Sequence, residues 1–150
     1  MPIDRDEFDP ENLELLSEDA DQEFRFSSVR NEAIDAGAGD DVILTGTGDD
    51  IVFAGSGNDF ISTGAGSDTL VAGSGSNILS GGMGDDTFVF DADMLGDPEE
   101  VNYNTITDFD PSSDTLQLRG FDFSSIANIP AFVTPTGCLL YTSPSPRDRG

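Results

Sequence analysis

The sequence predicts an all-β fold, a right-handed parallel β-solenoid, and three observations support this prediction. Blocks of nine residues repeat without interruption from Gly37, each block opens with two glycines separated by one residue, and each closes with a short run of β-branched, aliphatic or aromatic residues. A short fixed period indicates a repeat architecture. Nine residues suffice for one tight turn and one short strand. Two units would close one coil, so the solenoid would carry two small sheets.

The blocks are GAGDDVILT, GTGDDIVFA, GSGNDFIST, GAGSDTLVA, GSGSNILSG and GMGDDTFVF. The first position is always glycine, at Gly37, Gly46, Gly55, Gly64, Gly73 and Gly82, and so is the third, at Gly39, Gly48, Gly57, Gly66, Gly75 and Gly84. The fifth position holds Asp41, Asp50, Asp59, Asp68, Asn77 and Asp86. The seventh is always apolar, with Ile43, Val52, Ile61, Leu70, Leu79 and Phe88. Biased composition alone does not produce four such columns.

Each column has a physical reason. Paired glycines allow a turn with positive φ and leave room for a close ligand. An aspartate after them can direct its carboxylate back toward the carbonyls that the turn exposes. The following residues favour a short strand, and the seventh-position side chain points inward because neighbours in a strand face opposite ways.

The blocks resemble the RTX (hemolysin-type) nonapeptide GGxGxDxUx, a Ca²⁺-binding repeat. Residues 81–88 match the full pattern, while the other blocks place Ala36, Thr45, Ala54, Thr63 and Ala72 at the first glycine. The segment 104–121 is similar to the one that follows the β-roll in serralysin-type proteases. The resemblance implies Ca²⁺ as the cofactor, an extracellular location, and export by type I secretion machinery that reads an uncleaved C-terminal signal.

The stacking of the turns predicts where Ca²⁺ would bind. Turns on one edge of a two-sided coil are two blocks apart, so Asp41, Asp59 and Asn77 share one edge and Asp50, Asp68 and Asp86 the other. Carboxylates about 4.8 Å apart repel by roughly 1 kcal/mol in water and more when partly desolvated. Ca²⁺ seeks six to eight oxygens, which paired carboxylates and the carbonyls of the glycine loops provide. We expect sites at Asp41/Asp59, Asp59/Asn77, Asp50/Asp68 and Asp68/Asp86, the Asn77 site being the weakest.

Other acidic residues have simpler expected roles. The fourth-position residues Asp40, Asp49 and Asp85 are predicted to face solvent. Asp108, Asp110 and Asp114 either cap turns, as such residues commonly do, or ligate a further ion.

Composition excludes several function classes. The chain has a net charge of −24 and no histidine, so nucleic acid and anionic membranes are unfavourable partners, and catalytic sites that need histidine are impossible. No run of about 18 apolar residues is available to insert into a membrane, and the N-terminus does not resemble a Sec signal. We expect no catalytic residues in this chain.

The chain is predicted to have four segments. Residues 1–33 form an acidic segment, disordered or weakly helical; 34–90 form the roll; 91–137 form a truncated capping and secretion-associated region; and 138–150 are attributed to sequencing-adapter read-through, because CLLYTSPSPRD back-translates to a transposase end sequence. Residues 104–109 and 115–121 are expected to pair as a hairpin over the open end of the roll. Phe109, Leu116, Leu118 and Phe121 would be its core.

The leading hypothesis is a calcium-binding module whose folding depends on Ca²⁺, because one apolar side chain per nonapeptide gives too thin a core to offset chain entropy. One alternative is the C-terminal part of a secreted exoenzyme, such as a serralysin-type metalloprotease or a lipase, with its catalytic domain elsewhere. Another is an adhesin or ice-binding solenoid. The last needs a flat array of outward threonines, and only Thr47 stands in the second column.

Overall fold

The computed structural model describes residues 15–91, 94, 102–120, 131–134 and 137–142. These residues form β-strands joined by turns. The strands are β1 (Leu15–Asp19), β2 (Glu23–Ser28), β3 (Ala33–Ala38), β4 (Val42–Thr47), β5 (Ile51–Phe53), β6 (Phe60–Ala65), β7 (Thr69–Val71), β8 (Ile78–Met83), β9 (Thr87–Asp91), β10 (Asn102–Ile106), β11 (Thr115–Arg119), β12 (Ala131–Thr134) and β13 (Gly137–Thr142). The described part of the chain contains no helix long and apolar enough to cross a membrane.

Successive strands alternate between two sheets. The six-stranded sheet has the order β1-β3-β5-β7-β9-β11, and the seven-stranded sheet has the order β12-β13-β10-β8-β6-β4-β2. The strand pairs within the repeats are parallel, and Val42 is paired with Phe60 and Phe60 with Ile78, a register of two nonapeptides. The prediction of a parallel β-roll with two nonapeptides per coil is therefore confirmed.

The core lies between the sheets and consists mainly of one column of large side chains, beside which the ninth-position residues Thr45, Ala54, Thr63, Ala72 and Phe90 are also buried. The seventh-position residues Ile43, Val52, Ile61, Leu70, Leu79 and Phe88 are all 0% exposed. Phe24 and Ile34 extend this column toward the N-terminus, and Ile106 extends it toward the C-terminus. Phe109, Leu116 and Leu118 pack against it, as predicted for the capping core, whereas Phe121 lies outside the described residues.

The roll begins before the predicted boundary at residue 34. Strands β1 and β2 belong to the two sheets, and β2 pairs in parallel with β4. Phe24 is paired with Ile43 whereas Ser28 is paired with Gly46, so the register shifts within β2 and only its second part keeps the spacing of two nonapeptides. This segment also lacks glycine. Because of this shift and the missing glycines, the first coil cannot be recognised from the nonapeptide pattern.

The predicted hairpin between 104–109 and 115–121 is wrong. Strand β10 pairs in parallel with β8, and β11 pairs in parallel with β9, so the two strands lie in different sheets and continue the roll. The last repeat leaves one open edge in each sheet, and each edge is covered by one strand, which leaves fewer backbone groups unpaired than a detached hairpin would.

A capping hairpin is nevertheless present, formed by other residues. Strands β12 and β13 are antiparallel, and β13 pairs antiparallel with β10 at the end of the seven-stranded sheet. Strand β13 includes Cys138–Thr142, within the segment attributed above to adapter read-through. That attribution concerns the origin of the nucleotide sequence and stays a prediction.

Candidate metal centre

The fifth-position residues lie on the two long edges of the roll, each directly before a strand. We call the edge with Asp41, Asp59 and Asn77 the Asp59 edge, and the edge with Asp50, Asp68 and Asp86 the Asp68 edge. All six side chains are buried, with exposures of 0–2%. Charged side chains are almost never buried so fully unless they are paired or bound to a metal.

A hydrogen-bond ladder runs along the Asp59 edge. The backbone N–H of Asp41 donates to Oδ1 of Asp59 at 2.9 Å, and the N–H of Asp59 donates to Oδ1 of Asn77 at 2.8 Å. The ladder extends beyond the repeats at both ends, because Gln22 donates to Asp41 at 2.7 Å and Asn77 donates to Asn104 at 3.1 Å. One side-chain oxygen of each turn is thereby used within the protein.

The Asp68 edge carries the same ladder. The N–H groups of Asp50 and Asp68 donate to Oδ1 of Asp68 and Asp86, at 2.8 Å and 3.0 Å. Glu32 donates to Asp50 at 2.8 Å, and Asp86 donates to Asp114 at 3.2 Å. The expected stacking of turns that lie two nonapeptides apart is therefore present on both edges.

The second carboxylate oxygen is left without a donor. Oδ2 of Asp41, Asp50, Asp59 and Asp68 is buried and accepts no hydrogen bond. An unsatisfied buried polar atom costs about 1–3 kcal/mol, and more when it is charged. A cation or protons would supply the missing partner of these four equivalent oxygens.

The pKa values of the buried aspartates also show that the edges are unfavourable for uncompensated negative charge. Burial raises the pKa of Asp59 to about 7, and the nearby carboxylates of Asp41 and Asp40 add to this effect. Burial also raises the pKa of Asp86 to about 6, and the carboxylates of Asp68 and Asp114 contribute in the same direction. The pKa values of Asp41, Asp50 and Asp68 are raised as well, again chiefly by burial. The metal-free edges therefore resist carrying their full negative charge.

The glycine loops bring the turns close together. All twelve first- and third-position glycines have positive φ. At Gly57, with φ of 138°, a Cβ would overlap the carbonyl oxygen of Gly39 in the preceding turn, and at Gly66 it would overlap that of Gly48. Only glycine permits both the conformation and the approach. The loops thus pack glycines against backbone carbonyls of the preceding turn.

The donor set fits a hard cation. Among the described residues, no three His, Cys, Asp or Glu side chains converge on one point, so a bound ion would need backbone carbonyls as well as carboxylates. Such an all-oxygen shell of flexible geometry suits Ca²⁺. The twelve glycines bring carbonyls to the edges, but their direct coordination of the ion stays a prediction.

The fourth-position residues behave as expected. Asp40, Asp49 and Asp85 are exposed. The N–H of Asn58 donates to Asp40 at 2.8 Å, and that of Ser67 donates to Asp49 at 2.8 Å. These carboxylates join successive turns from the solvent side.

The acidic residues after the repeats have separate roles. Asp108 accepts hydrogen bonds from the Ser80 hydroxyl at 2.7 Å and the Gly82 N–H at 2.8 Å, which caps the last glycine loop. Asp110 accepts the N–H of Ser112 within a turn at 2.9 Å. Turn capping is thus confirmed for these two.

Sequence reasoning missed Asn104 and Asp114 as members of the ladders. Asp114 is followed by Thr115 and Leu116, just as Asp68 is followed by Thr69 and Leu70. This Asp-Thr-Leu recurrence was a usable signal. It was hidden because the register becomes longer than two nonapeptides at both strands, where Thr105 pairs with Ile78 and Thr115 pairs with Thr87.

Comparison with known proteins shows that part of this chain matches a known repeat family. Residues 28–61 and 62–93 match the RTX calcium-binding nonapeptide repeat. Among solved structures, the chain is similar to the solution structure of the AlgE6R3 subunit from the Azotobacter vinelandii mannuronan C5-epimerase, with 25% identity and a TM-score of 0.39. That match covers 73% of this chain and 51% of the other, so this chain spans about half of that subunit. A search of curated proteins gave no match.

Proposed function

Because residues 28–61 and 62–93 match the RTX calcium-binding nonapeptide repeat, we propose that Ca²⁺ binds between successive turns on both edges and that this binding drives folding. The observation that carries the proposal is the set of four buried Oδ2 atoms without a hydrogen-bond donor. A cation between turns would give each of them a partner. It would also reverse the sign of the repulsion between stacked carboxylates.

The proposed ligands are the carboxylates of Asp41, Asp50, Asp59, Asp68 and Asp86 together with carbonyls of the glycine loops. Oδ1 keeps its bond to the backbone of the preceding turn, while Oδ2 faces the ion. Stacked pairs of turns on one edge form the sites, at Asp41/Asp59, Asp50/Asp68 and Asp68/Asp86. The pair Asp59/Asn77 has only one carboxylate and is the weakest candidate.

Folding would be coupled to the ion because the rest of the fold supplies little. Within the repeats, the fully buried large apolar side chains are the six seventh-position residues and Phe90, and the chain carries a net charge of −24. Such a charge opposes compaction. In small metal-binding domains of this kind, the free energy of binding is also free energy of folding.

Calcium dependence suggests where the chain folds. Extracellular calcium modules bind with dissociation constants of about 10⁻⁴–10⁻³ M, so the chain would stay open in the cytosol and fold outside the cell. We propose an extracellular binding role, with export by type I secretion machinery, and no catalytic role for these residues. Co-expression of the chain, carrying a type I secretion signal at its C-terminus, with the matching transporter tests the export step, and retention in the cell would count against it.

The central test is circular dichroism of the full chain with and without millimolar Ca²⁺, combined with calorimetric titration. We expect a transition from coil to β-structure, stoichiometric uptake of the ion, and reversal by EGTA. Mg²⁺ at the same concentration is the control and should be a poor substitute, because it demands smaller, near-octahedral geometry. A spectrum that does not respond to Ca²⁺ would overturn the proposal.

A further inference from the structure

Asn77 uses both ends of its side-chain amide within the protein. Its Oδ1 accepts the N–H of Asp59 at 2.8 Å, and its Nδ2 donates to the carbonyl oxygen of Ala72 at 2.9 Å. The side chain is 0% exposed. Both polar atoms of the Asn77 side chain thus have a hydrogen-bond partner, at the position where the other five repeats carry an aspartate.

The orientation of this amide is determined by its partners. Reversing the amide would turn its NH₂ group toward the N–H of Asp59 and its oxygen toward the carbonyl of Ala72. Both contacts would then join like groups, donor to donor and acceptor to acceptor. The nitrogen must therefore face Ala72, and this nitrogen has no lone pair to offer a cation.

In the aspartates, the atom corresponding to this nitrogen is Oδ2, and it lies beside the residue five positions earlier. A Cβ added to Gly81 would overlap Oδ2 of Asp86. The Thr45 and Thr63 hydroxyls lie near the carboxylates of Asp50 and Asp68, but they donate to the backbone carbonyls of Thr63 and Gly81. Where Asn77 has an N–H bonded to a carbonyl, Asp59 has a buried oxygen with no donor.

We infer that the Asn77 turn is closed by its own amide and that no Ca²⁺ binds between Asp59 and Asn77. This inference rests on the proposed calcium binding of the aspartate turns. In those turns the ion is the partner of the buried Oδ2, whereas at Asn77 an amide N–H takes that place and bonds to a carbonyl. Asn104 repeats only the acceptor half of this arrangement, because its buried Oδ1 accepts the N–H of Asn77 while its Nδ2 has no hydrogen-bond partner. The Asp59 edge thus ends in two amides, while the Asp68 edge keeps carboxylates at Asp86 and Asp114.

The test compares two variants that add the same charge to neighbouring turns. Asn77→Asp restores a buried carboxylate at the turn that the amide closes. Asn58→Asp, the matched control, adds its carboxylate at an exposed position of the preceding turn on the same edge. Calcium stoichiometry of the full-length proteins is measured by calorimetry, with folding at saturating Ca²⁺ checked by circular dichroism. We expect Asn77→Asp to bind one more Ca²⁺ per chain than the wild type, and Asn58→Asp to match the wild type.

An unchanged stoichiometry in Asn77→Asp, or the same gain in both variants, would overturn the inference while leaving the proposed function intact. A wild type that binds no calcium would instead overturn the proposed function. The variant Asn77→Ala tests the inference independently. It should lower the melting temperature without changing the number of ions bound, whereas the loss of one ion would show that Asn77 is a ligand.

Discussion

Each buried aspartate presents its two carboxylate oxygens to different surroundings. Oδ1 of Asp68 accepts the N–H of Asp50 at 2.8 Å, while its Oδ2 is buried without a donor. The same residue therefore joins two turns directly and leaves an oxygen for an ion. Substitution by alanine removes both contributions.

Asp68→Ala should weaken calcium-dependent folding because Asp68 is shared by the Asp50/Asp68 and Asp68/Asp86 sites. We expect the Ca²⁺ concentration at half-folding to rise by about tenfold or more, since ligand charge sets the affinity of such sites. Circular dichroism during a calcium titration measures this midpoint. The control is Asp49→Ala, which removes an exposed carboxylate from the same edge and should shift the midpoint by only about twofold. Equal shifts in both variants would contradict the assignment.

The raised pKa values predict that acid partly replaces calcium. Burial raises the pKa of Asp59 from 3.8 to about 7 and that of Asp86 to about 6. A carboxyl group with a raised pKa in the fold contributes stability that is fully present below pH 3.8 and is lost as the pH rises through 6–7. The metal-free chain should therefore gain β-structure between pH 8 and pH 5, as measured by circular dichroism in EGTA.

Asp59→Asn is the control for the acid effect, because asparagine imitates the protonated carboxyl group at any pH. The variant should show a weaker pH dependence than the wild type. Loss of β-structure on acidification of the wild type would contradict the assigned role of these carboxylates.

Strand β2 shows that an element can belong to the roll without a recognisable repeat. Phe24 is 1% exposed and lies in the core beside Ile43. Its backbone pairs with β4 even though the surrounding sequence lacks the glycine pattern. The first coil is thus built around an aromatic side chain.

Phe24→Ala should destabilise the calcium-loaded protein by about 3–5 kcal/mol, the usual cost of truncating a buried phenylalanine. Thermal or urea unfolding at saturating Ca²⁺ gives the change in the free energy of unfolding. Phe60→Ala is the matched control, because Phe60 is 41% exposed on the outer face of β6. If removal of Phe24 had no more effect than removal of Phe60, the N-terminal segment would not be part of the folded unit.

The repeated elements could be predicted from the sequence because one rule applies to every block. Glycine spacing gives the turns, and the apolar seventh column gives the core from Ile43 to Phe88. The coils beside them could not be predicted in this way. Gln22 and Phe24 are displaced by one position from the nonapeptide register, and Asn104 follows an insertion as long as one further block. Their strands are specified by the open sheet edges that they cover, which a local pattern does not contain.

The candidate site was predictable in its residue types but not in its atomic roles. Spacing alone placed Asp41 above Asp59 and Asp50 above Asp68. Spacing does not show which oxygen bonds to the backbone and which is left over, because this depends on the distance between stacked turns. The amide of Asn77 is the clearest case, since only its two partners decide which way it faces.

At the scale of the whole molecule, we expect calcium binding to make this highly charged chain compact. A chain of 150 residues with net charge −24 should be expanded without calcium. Its radius of gyration should fall from about 40 Å toward about 15 Å on folding, by the usual scaling with chain length. Small-angle X-ray scattering with and without Ca²⁺ measures this contraction.

Sodium chloride is the control for the contraction, because it screens charge without binding in the turns. Salt alone should leave the chain largely expanded. Full contraction in salt without calcium would mean that screening, and not site binding, compacts the chain.

The ladder of backbone bonds runs in one direction along the axis, which makes the two ends of the roll chemically different. At the fifth position every turn donates an N–H forward, and the carboxylate or amide of the following turn receives it. The fourth-position N–H groups donate backward instead, as Asp40 does to Asp21 and Asp49 does to Asn31. A first turn therefore needs no short acidic or amide side chain at this position, and Gln22 and Glu32 stand there. A terminal turn must supply an acceptor of the right length, and Asn104 and Asp114 do so. A coil added at the front would therefore need an asparagine or aspartate in place of Gln22 or Glu32, and a coil added at the rear would have to bring such a residue of its own.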